Sequence, residues 1–319
     1  MARLTIDSEK LAEEIIKKKA KKVLIQAPAG LKRKIADIVQ KLEKETKARI
    51  FLSADSCFGA CDIPIGTVKV LKPDLVLHIG HTKMLALQNI SYFPLQYEFS
   101  KREKAVLLRL LIKELRSKGI RKACGVATIQ YIELLRWLAK EAAKHGIKIV
   151  LKKGRYGVAG QVLGCETSAA RSKAEAIVFV GDGVFHAIGI AKAEKKSVLI
   201  LNPLAKHARW LEKKKLREIE KKRIATLFKA KQAKRFGIVL SVKPGQFNEK
   251  LALEAKRILE ANGKKAVLIA ADNITEHALL DFNLDCFVAI ACPRLTDDAP
   301  YWKKPLIGFE DLLVLFNRN

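Results

Sequence analysis

The sequence predicts an α/β protein of three similar domains, each a small, mainly parallel four-stranded sheet flanked by helices, set in a pseudo-threefold arrangement around a common centre. Three observations carry this expectation. Short apolar runs rich in β-branched residues alternate with helix-length polar and apolar patterns, the signature of βαβ units and parallel sheets. A set of four such runs recurs three times at a period of about 100 residues, as related units do. Loops rich in glycine, proline and cysteine stand just beyond many of the runs, where parallel sheets collect their ligands.

In order along the chain, the first set reads KVLIQAP, RIFLSA, LVLHIGH and PLQYEF. The second reads KACGVAT, IKIVLK, AIVFVGDG and SVLILNP, and the third reads FGIVLSV, KAVLIAA, DCFVAIAC and KPLIGF. Boundaries fall in or beside charged helical segments, which divides the chain into domains at 1–105, 106–205 and 206–319. No Gly/Ser-rich or Pro-rich linker separates them, so the expected domains pack together instead of hanging from tethers. A site shared by three sets of strand ends is then natural.

Length and composition agree with this plan. A chain of 319 residues exceeds one ordinary core and suits domains of about 100 residues each. Apolar residues make up 49 %, yet no run approaches the roughly 18 uninterrupted apolar residues of a membrane span, and MARLTIDSEKLAEE has no signal-peptide pattern. The expectation is a soluble, cytoplasmic protein. The formal net charge is +28, which favours RNA, ribosomes or an acidic protein partner through long-range attraction. Much of it lies on helical faces such as LEKKKLREIEKKR, where solvated lysines explain it, and no basic motif interleaved with aromatics offers to stack bases.

The segment SADSCFGACDIP places Cys57 and Cys61 four residues apart in a loop, with no third cysteine nearby to complete a local metal site. Six cysteines without the dense spacing of a secreted scaffold point to reduced thiols, either buried or used as ligands. Cys61 and Cys165 each follow the second strand of their set, after a glycine-containing loop and before a helix. Cys292 ends the third strand of the last set, again at a carboxyl strand end. Three thiolates from distant sequence suit an iron–sulfur cluster with one iron open to substrate, and tetrahedral zinc is the physical competitor. Spacing alone leaves both open, together with the reading of all three as small buried apolar residues. Cys124 and Cys286 lie inside apolar runs and read as core, while Cys57 could cap the site or substitute for Cys61.

Five segments, GACD at 59–62, HIGH at 78–81, GQVLGC at 160–165, GDGVFH at 181–186 and ACPRLT at 291–296, make the chain resemble the archaeal enzymes of the first step of diphthamide biosynthesis. The resemblance implies that Cys61, Cys165 and Cys292 hold a central [4Fe–4S] cluster in each subunit of a homodimer. It implies S-adenosylmethionine as co-substrate, a histidine of translation elongation factor 2 as acceptor, and an electron donor that the sequence does not identify. The activity implied is transfer of a 3-amino-3-carboxypropyl group, through a radical, to C2 of that imidazole. Quinolinate synthase, similar in size and also built around a three-cysteine cluster, is the alternative enzyme reading; a non-catalytic, metal-stabilised RNA or ribosome factor is the alternative from another class.

A sulfonium co-substrate ending in a carboxylate and an amine needs anion donors and an acceptor. The loops PAGLK, TIQY and KPGQ follow first strands and open helices, where free N–H groups attract anions. Gly245 and Gln246 are the expected anchors, with Arg294 beside Cys292 as the alternative to an ordinary ion pair. Gln161, in the GQVLGC segment, joins the expected co-substrate contacts, and Asp182 in GDG suits an amine or ribose hydroxyl, although such turns form for conformational reasons alone. His78, His81 and His186 stand at or beyond strand ends without helical ligand spacing, which favours orienting a target or bonding loop groups over holding a metal.

Overall fold

The computed structural model describes residues 2–298 and 302–316. It contains three open sheets of one topology. After a short β1 (Arg3–Leu4), the first is built from β2 (Lys22–Gln26), β3 (Arg49–Leu52), β4 (Leu75–Ile79) and β5 (Ile90–Phe93), all parallel in the order β3-β2-β4-β5. A two-residue β6 (Tyr97–Glu98) pairs antiparallel with β1. The second sheet comprises β7 (Lys122–Ala127), β8 (Lys148–Val150), β9 (Ala176–Val180) and β10 (Val198–Asn202), extended by β11 (His207–Trp210). Its order is β8-β7-β9-β10-β11, with only β11 antiparallel. The third holds β12 (Arg235–Ser241), β13 (Lys265–Ala271), β14 (Cys286–Ile290) and β15 (Leu306–Gly308), parallel in the order β13-β12-β14-β15.

Each sheet thus runs second, first, third, fourth. The chain winds one way from first to second strand and the other way from third to fourth, which leaves a switch point between the first and third strands. Central strands are covered on both faces and read accordingly as continuous apolar runs: all five residues of β4 and all five of β9 are buried. Buried in β4 with them is His78, and at the end of the adjacent β2 stands Gln26, both fully enclosed. Two polar side chains inside a switch point must satisfy each other or pay a desolvation penalty.

Two expected details differ. The fourth strand of the first sheet is Ile90–Phe93, not PLQYEF, because Pro94 has no N–H to offer a ladder and ends the strand. Of the expected segment only Tyr97–Glu98 is extended and paired, and its partner is β1. The antiparallel β11 was not expected, since HARW carries neither the length nor the apolar content of the other runs.

Helix starts follow local chemistry. Asp7 accepts from the Lys10 amide at 3.1 Å, and Ser100 with Glu103 forms a reciprocal capping box. The lysine-rich helix Lys213–Gln232 buries only Leu227 and Ala230, so its charge lies on a solvated face. Two compact units result, Met1–Leu211 with the first two sheets and Glu212–Asn319 with the third. No helix among the described residues is long and apolar enough to cross a membrane.

Candidate active site

In the first sheet the loop after β3 is fastened from within. The Asp62 carboxylate accepts from the Phe58 amide at 3.1 Å, and the Asp62 amide donates to the Gly59 carbonyl at 3.0 Å. This turn buries Cys57 and Asp62 while leaving Cys61 partly accessible. Gly59 lies against the ligand candidate, for a Cβ there would stand 3.7 Å from the Cys61 Sγ.

At the switch point beside it, Gln26 and His78 are register partners on β2 and β4. The Gln26 amide donates through Nε2 to the Asp62 carbonyl at 2.8 Å, which leaves its Oε1 to pair with His78 Nδ1 at 2.9 Å. His78 Nε2 in turn lies 2.9 Å from His81 Nδ1 and 4.0 Å from the Cys57 Sγ. Gly80 makes the return possible: its φ of +101° is open to glycine, and a Cβ would meet Pro28 at 3.3 Å. Burial holds both imidazoles neutral. It lowers His78 to about 3, with His81 adding to the effect, and lowers His81 to about 4 against the pull of Asp62. The Tyr92 ring packs 5.1 Å from His78, and its phenol is raised by burial first and also by charge on Cys61, which sets that thiol within electrostatic reach of this face.

Cys57, His78 and His81 offer donor atoms all within 4.8 Å of one another. The sequence reading set Cys57 apart from the two histidines, because 21 positions part Cys57 from His78 and nothing local joins them. The signal lay in HIGH itself, where a glycine able to turn back separates two histidines at the end of a central strand.

The second sheet meets the first through side-chain amides. Gln130 Nε2 donates to the Gly80 carbonyl at 3.1 Å, and Gln161 Nε2 to the Thr82 hydroxyl at 2.7 Å. Gln161 Oε1 accepts from the Val158 amide at 3.2 Å. Both ends of this buried amide thus help to hold two loops together. Cys165 is exposed in the loop that Gln161 opens. Asp182 is exposed beyond β9, its carbonyl accepting from Asn202 at 3.0 Å. Burial raises the phenols of Tyr131 and Tyr97, and the Asp182 carboxylate raises both further. His186 packs against Phe179 and Phe185.

In the third sheet the expected anchors join the expected ligand. Gln246 Oε1 accepts from the Cys292 amide at 3.1 Å, tying the loop after β12 to the loop after β14 across that sheet's switch point. Gly245 lies in the same turn, closed by the Gln246 and Phe247 amides on the Lys243 carbonyl. Arg294 pairs with Asp297 at 2.7 Å, as an ordinary ion pair would. Sequence reasoning passed over Lys243, a buried cation at the strand end that reaches Asp272 at 3.6 Å.

The cysteines sort by chemistry. None of the six forms a disulfide. Cys124 and Cys286 are fully buried among apolar side chains, and burial raises both thiols, the reverse of what a thiolate ligand needs. Cys61, Cys165 and Cys292 stand outside the cores in strand-end loops and are accessible to differing degrees. As a donor set, three such thiols fit a cluster that keeps one iron open.

The model of the diphthamide synthesis protein family matches residues 27–319. The chain belongs to that family. Among its relatives, the 2-(3-amino-3-carboxypropyl)histidine synthase of Pyrococcus horikoshii is 32 % identical over 97 % of this chain and 90 % of its own length. The synthase of the same name from Methanocaldococcus jannaschii is 32 % identical over 98 % of this chain and 90 % of its own. Crystal structures of Dph2 from Pyrococcus horikoshii superpose on 99 % of the chain: one has a TM-score of 0.91 at 32 % identity and covers 93 % of the Dph2 chain, and one solved with a 4Fe-4S cluster has a TM-score of 0.90 at 31 % identity and covers 92 %. Within the diphthamide family member described here, the α/β architecture expected from the sequence is thereby confirmed.

Proposed function

We propose that this chain transfers the 3-amino-3-carboxypropyl group of S-adenosylmethionine to C2 of a histidine imidazole in translation elongation factor 2, the first step of diphthamide biosynthesis. The observation that supports this most is the placement of Cys61, Cys165 and Cys292: three accessible thiols, each in a loop at the carboxyl end of its sheet, in a chain whose relatives bear the synthase name. These residues would hold a [4Fe–4S] cluster, which when bound supplies the electron that cleaves the sulfonium at the methionine γ-carbon. The division into domains 1–105, 106–205 and 206–319, one ligand from each, belongs to the same reading.

The remaining work falls to the chain. Gln246 fixes the Cys292 loop by accepting its amide proton. Lys243 and Arg294 are the cations suited to the methionine carboxylate, beside the Gly245 turn, and Asp182 is suited to the amine or to a ribose hydroxyl. The net charge of +28 draws in the acceptor protein or its ribosomal surroundings. A homodimer, a separate electron donor and a cytoplasmic setting complete the proposal. Incubating the anaerobically reconstituted protein with reductant, elongation factor 2 and S-adenosylmethionine labelled in the aminocarboxypropyl group should place the label on one histidine. Label remaining entirely in small molecules, with intact cluster, would contradict the proposal.

A further inference from the structure

Hydrogen-bond direction at the first switch point can be followed atom by atom. Gln26 Nε2 must donate to the Asp62 carbonyl, so Gln26 Oε1 is the acceptor facing His78. His78 therefore carries its proton on Nδ1, and a neutral imidazole then has a bare lone pair on Nε2. At 2.9 Å from that lone pair, His81 Nδ1 must be the donor, since two bare nitrogens would repel at this distance. His81, neutral in turn, is left with its lone pair on Nε2. No described residue donates to that atom, and the ring is only partly buried. A buried glutamine thus selects the tautomers of two histidines and leaves one unprotonated nitrogen on His81, which lies beside Cys57 and within electrostatic reach of Asp62, both in the loop that carries Cys61. The same three donors could hold a metal ion, but each nitrogen of His78 is already used in a hydrogen bond, and the tautomer chain needs no ion to complete it.

We propose that His81 Nε2 is the proton acceptor of the transfer reaction, taking the proton that leaves C2 of the acceptor imidazole. This rests on the function proposed above. In that reaction the sulfonium sulfur–carbon bond breaks with one electron from the cluster, and the resulting carbon radical bonds to C2. Rearomatisation then requires C2 to lose its hydrogen as a proton and the ring to lose one electron. The proton goes to His81 Nε2 and the electron returns to the oxidised cluster, so no outside oxidant is consumed. Burial lowers His81 to about 4, so the nitrogen is unprotonated at neutral pH but only weakly basic, which suffices for the strongly acidic C2–H of the oxidised, non-aromatic adduct. Gln26 and His78 are positioning residues, acting only through the tautomer they impose.

Two measurements test this. Nitrogen-15 NMR of the cluster-free protein should show Nδ1–H tautomers for both His78 and His81, with His81 Nε2 unprotonated; an Nε2–H tautomer at His81 would overturn the proposal. In the reconstituted enzyme, His81→Asn keeps a donor toward His78 but removes the distal lone pair. It should still cleave S-adenosylmethionine to methylthioadenosine, while modified histidine per cleavage falls roughly 100-fold or more, the usual reach of acid–base catalysis. 2-Aminobutyrate should replace the coupled product, and 2-methylimidazole, whose C2 is blocked, should restore coupling to His81→Gly. Full coupling in His81→Asn, or His81→Gly unmoved by 2-methylimidazole, would overturn the inference. Absence of methylthioadenosine from the unaltered enzyme would instead overturn the functional reading and remove the substrate of this step, while leaving the tautomers to the NMR.

Discussion

Replacing Cys61, Cys165 or Cys292 singly by alanine is expected to abolish cluster retention and transfer together. A cluster with one open iron has no spare protein ligand, so losing one thiolate leaves two, too few to hold it against solvent. Cys124→Ala and Cys286→Ala should keep both cluster and activity, because these thiols are fully enclosed and raised by burial. Their cost should appear in stability alone, about 1 kcal/mol for a small buried side chain shortened by one atom. Cys57→Ala is the discriminating case, since Cys57 sits four residues from Cys61 yet is buried against His78. It should retain the cluster. Anaerobic iron and sulfide analysis of all six variants checks the set, and a full cluster in Cys61→Ala with none in Cys57→Ala would reverse the ligand assignment.

Acid should destabilise the unit Met1–Leu211 through the histidine pair. His78 and His81 titrate near 3 and 4 in the folded chain and near 6.5 when unfolded. Both folded values are depressed, so the unfolded state binds more protons, and stability falls as the pH drops below 6.5 until the folded values are reached. At pH 5 each group costs about 2 kcal/mol, so the pair costs at most about 4 kcal/mol. The groups facing them, Asp62, Cys57, Gln26 and Tyr92, stay in place in His78→Gln/His81→Gln, which removes only the two titrations. Urea unfolding midpoints at pH 7 and pH 5 should therefore fall further in the unaltered chain than in the double variant. Parallel curves would show that the pair is not neutral by burial.

The repeating β-rich runs made the three sheets legible, because strands covered on both faces are written as continuous apolar segments. Ile90–Phe93 escaped because no helix intervenes between it and β4, so the alternation that marked the other strands was missing. At the site, position at a strand end was readable: Cys61, Cys165, Cys292 and Gln246 all lie in such loops. The Gln26–His78–His81 chain was not readable, since it depends on the register that sets Gln26 opposite His78 and on the turn at Gly80. The bonds of Gln161 to Val158 and Thr82 were likewise not readable, since they depend on how two loops distant in sequence meet.

The measurement that tests the account most directly is which bond of S-adenosylmethionine breaks. With the cluster reconstituted anaerobically, dithionite as reductant and no acceptor protein, cleavage at the methionine γ-carbon yields methylthioadenosine together with 2-aminobutyrate or the dimer of the aminocarboxypropyl radical. Cations and amides near Cys292, among them Lys243, Arg294 and the Gly245 turn, would grip the methionine end and present that carbon to the open iron. Methylthioadenosine in the unaltered protein, lost in Cys292→Ala, is the result predicted. Accumulation of 5′-deoxyadenosine and methionine would contradict the account even with the cluster and its three cysteines in place.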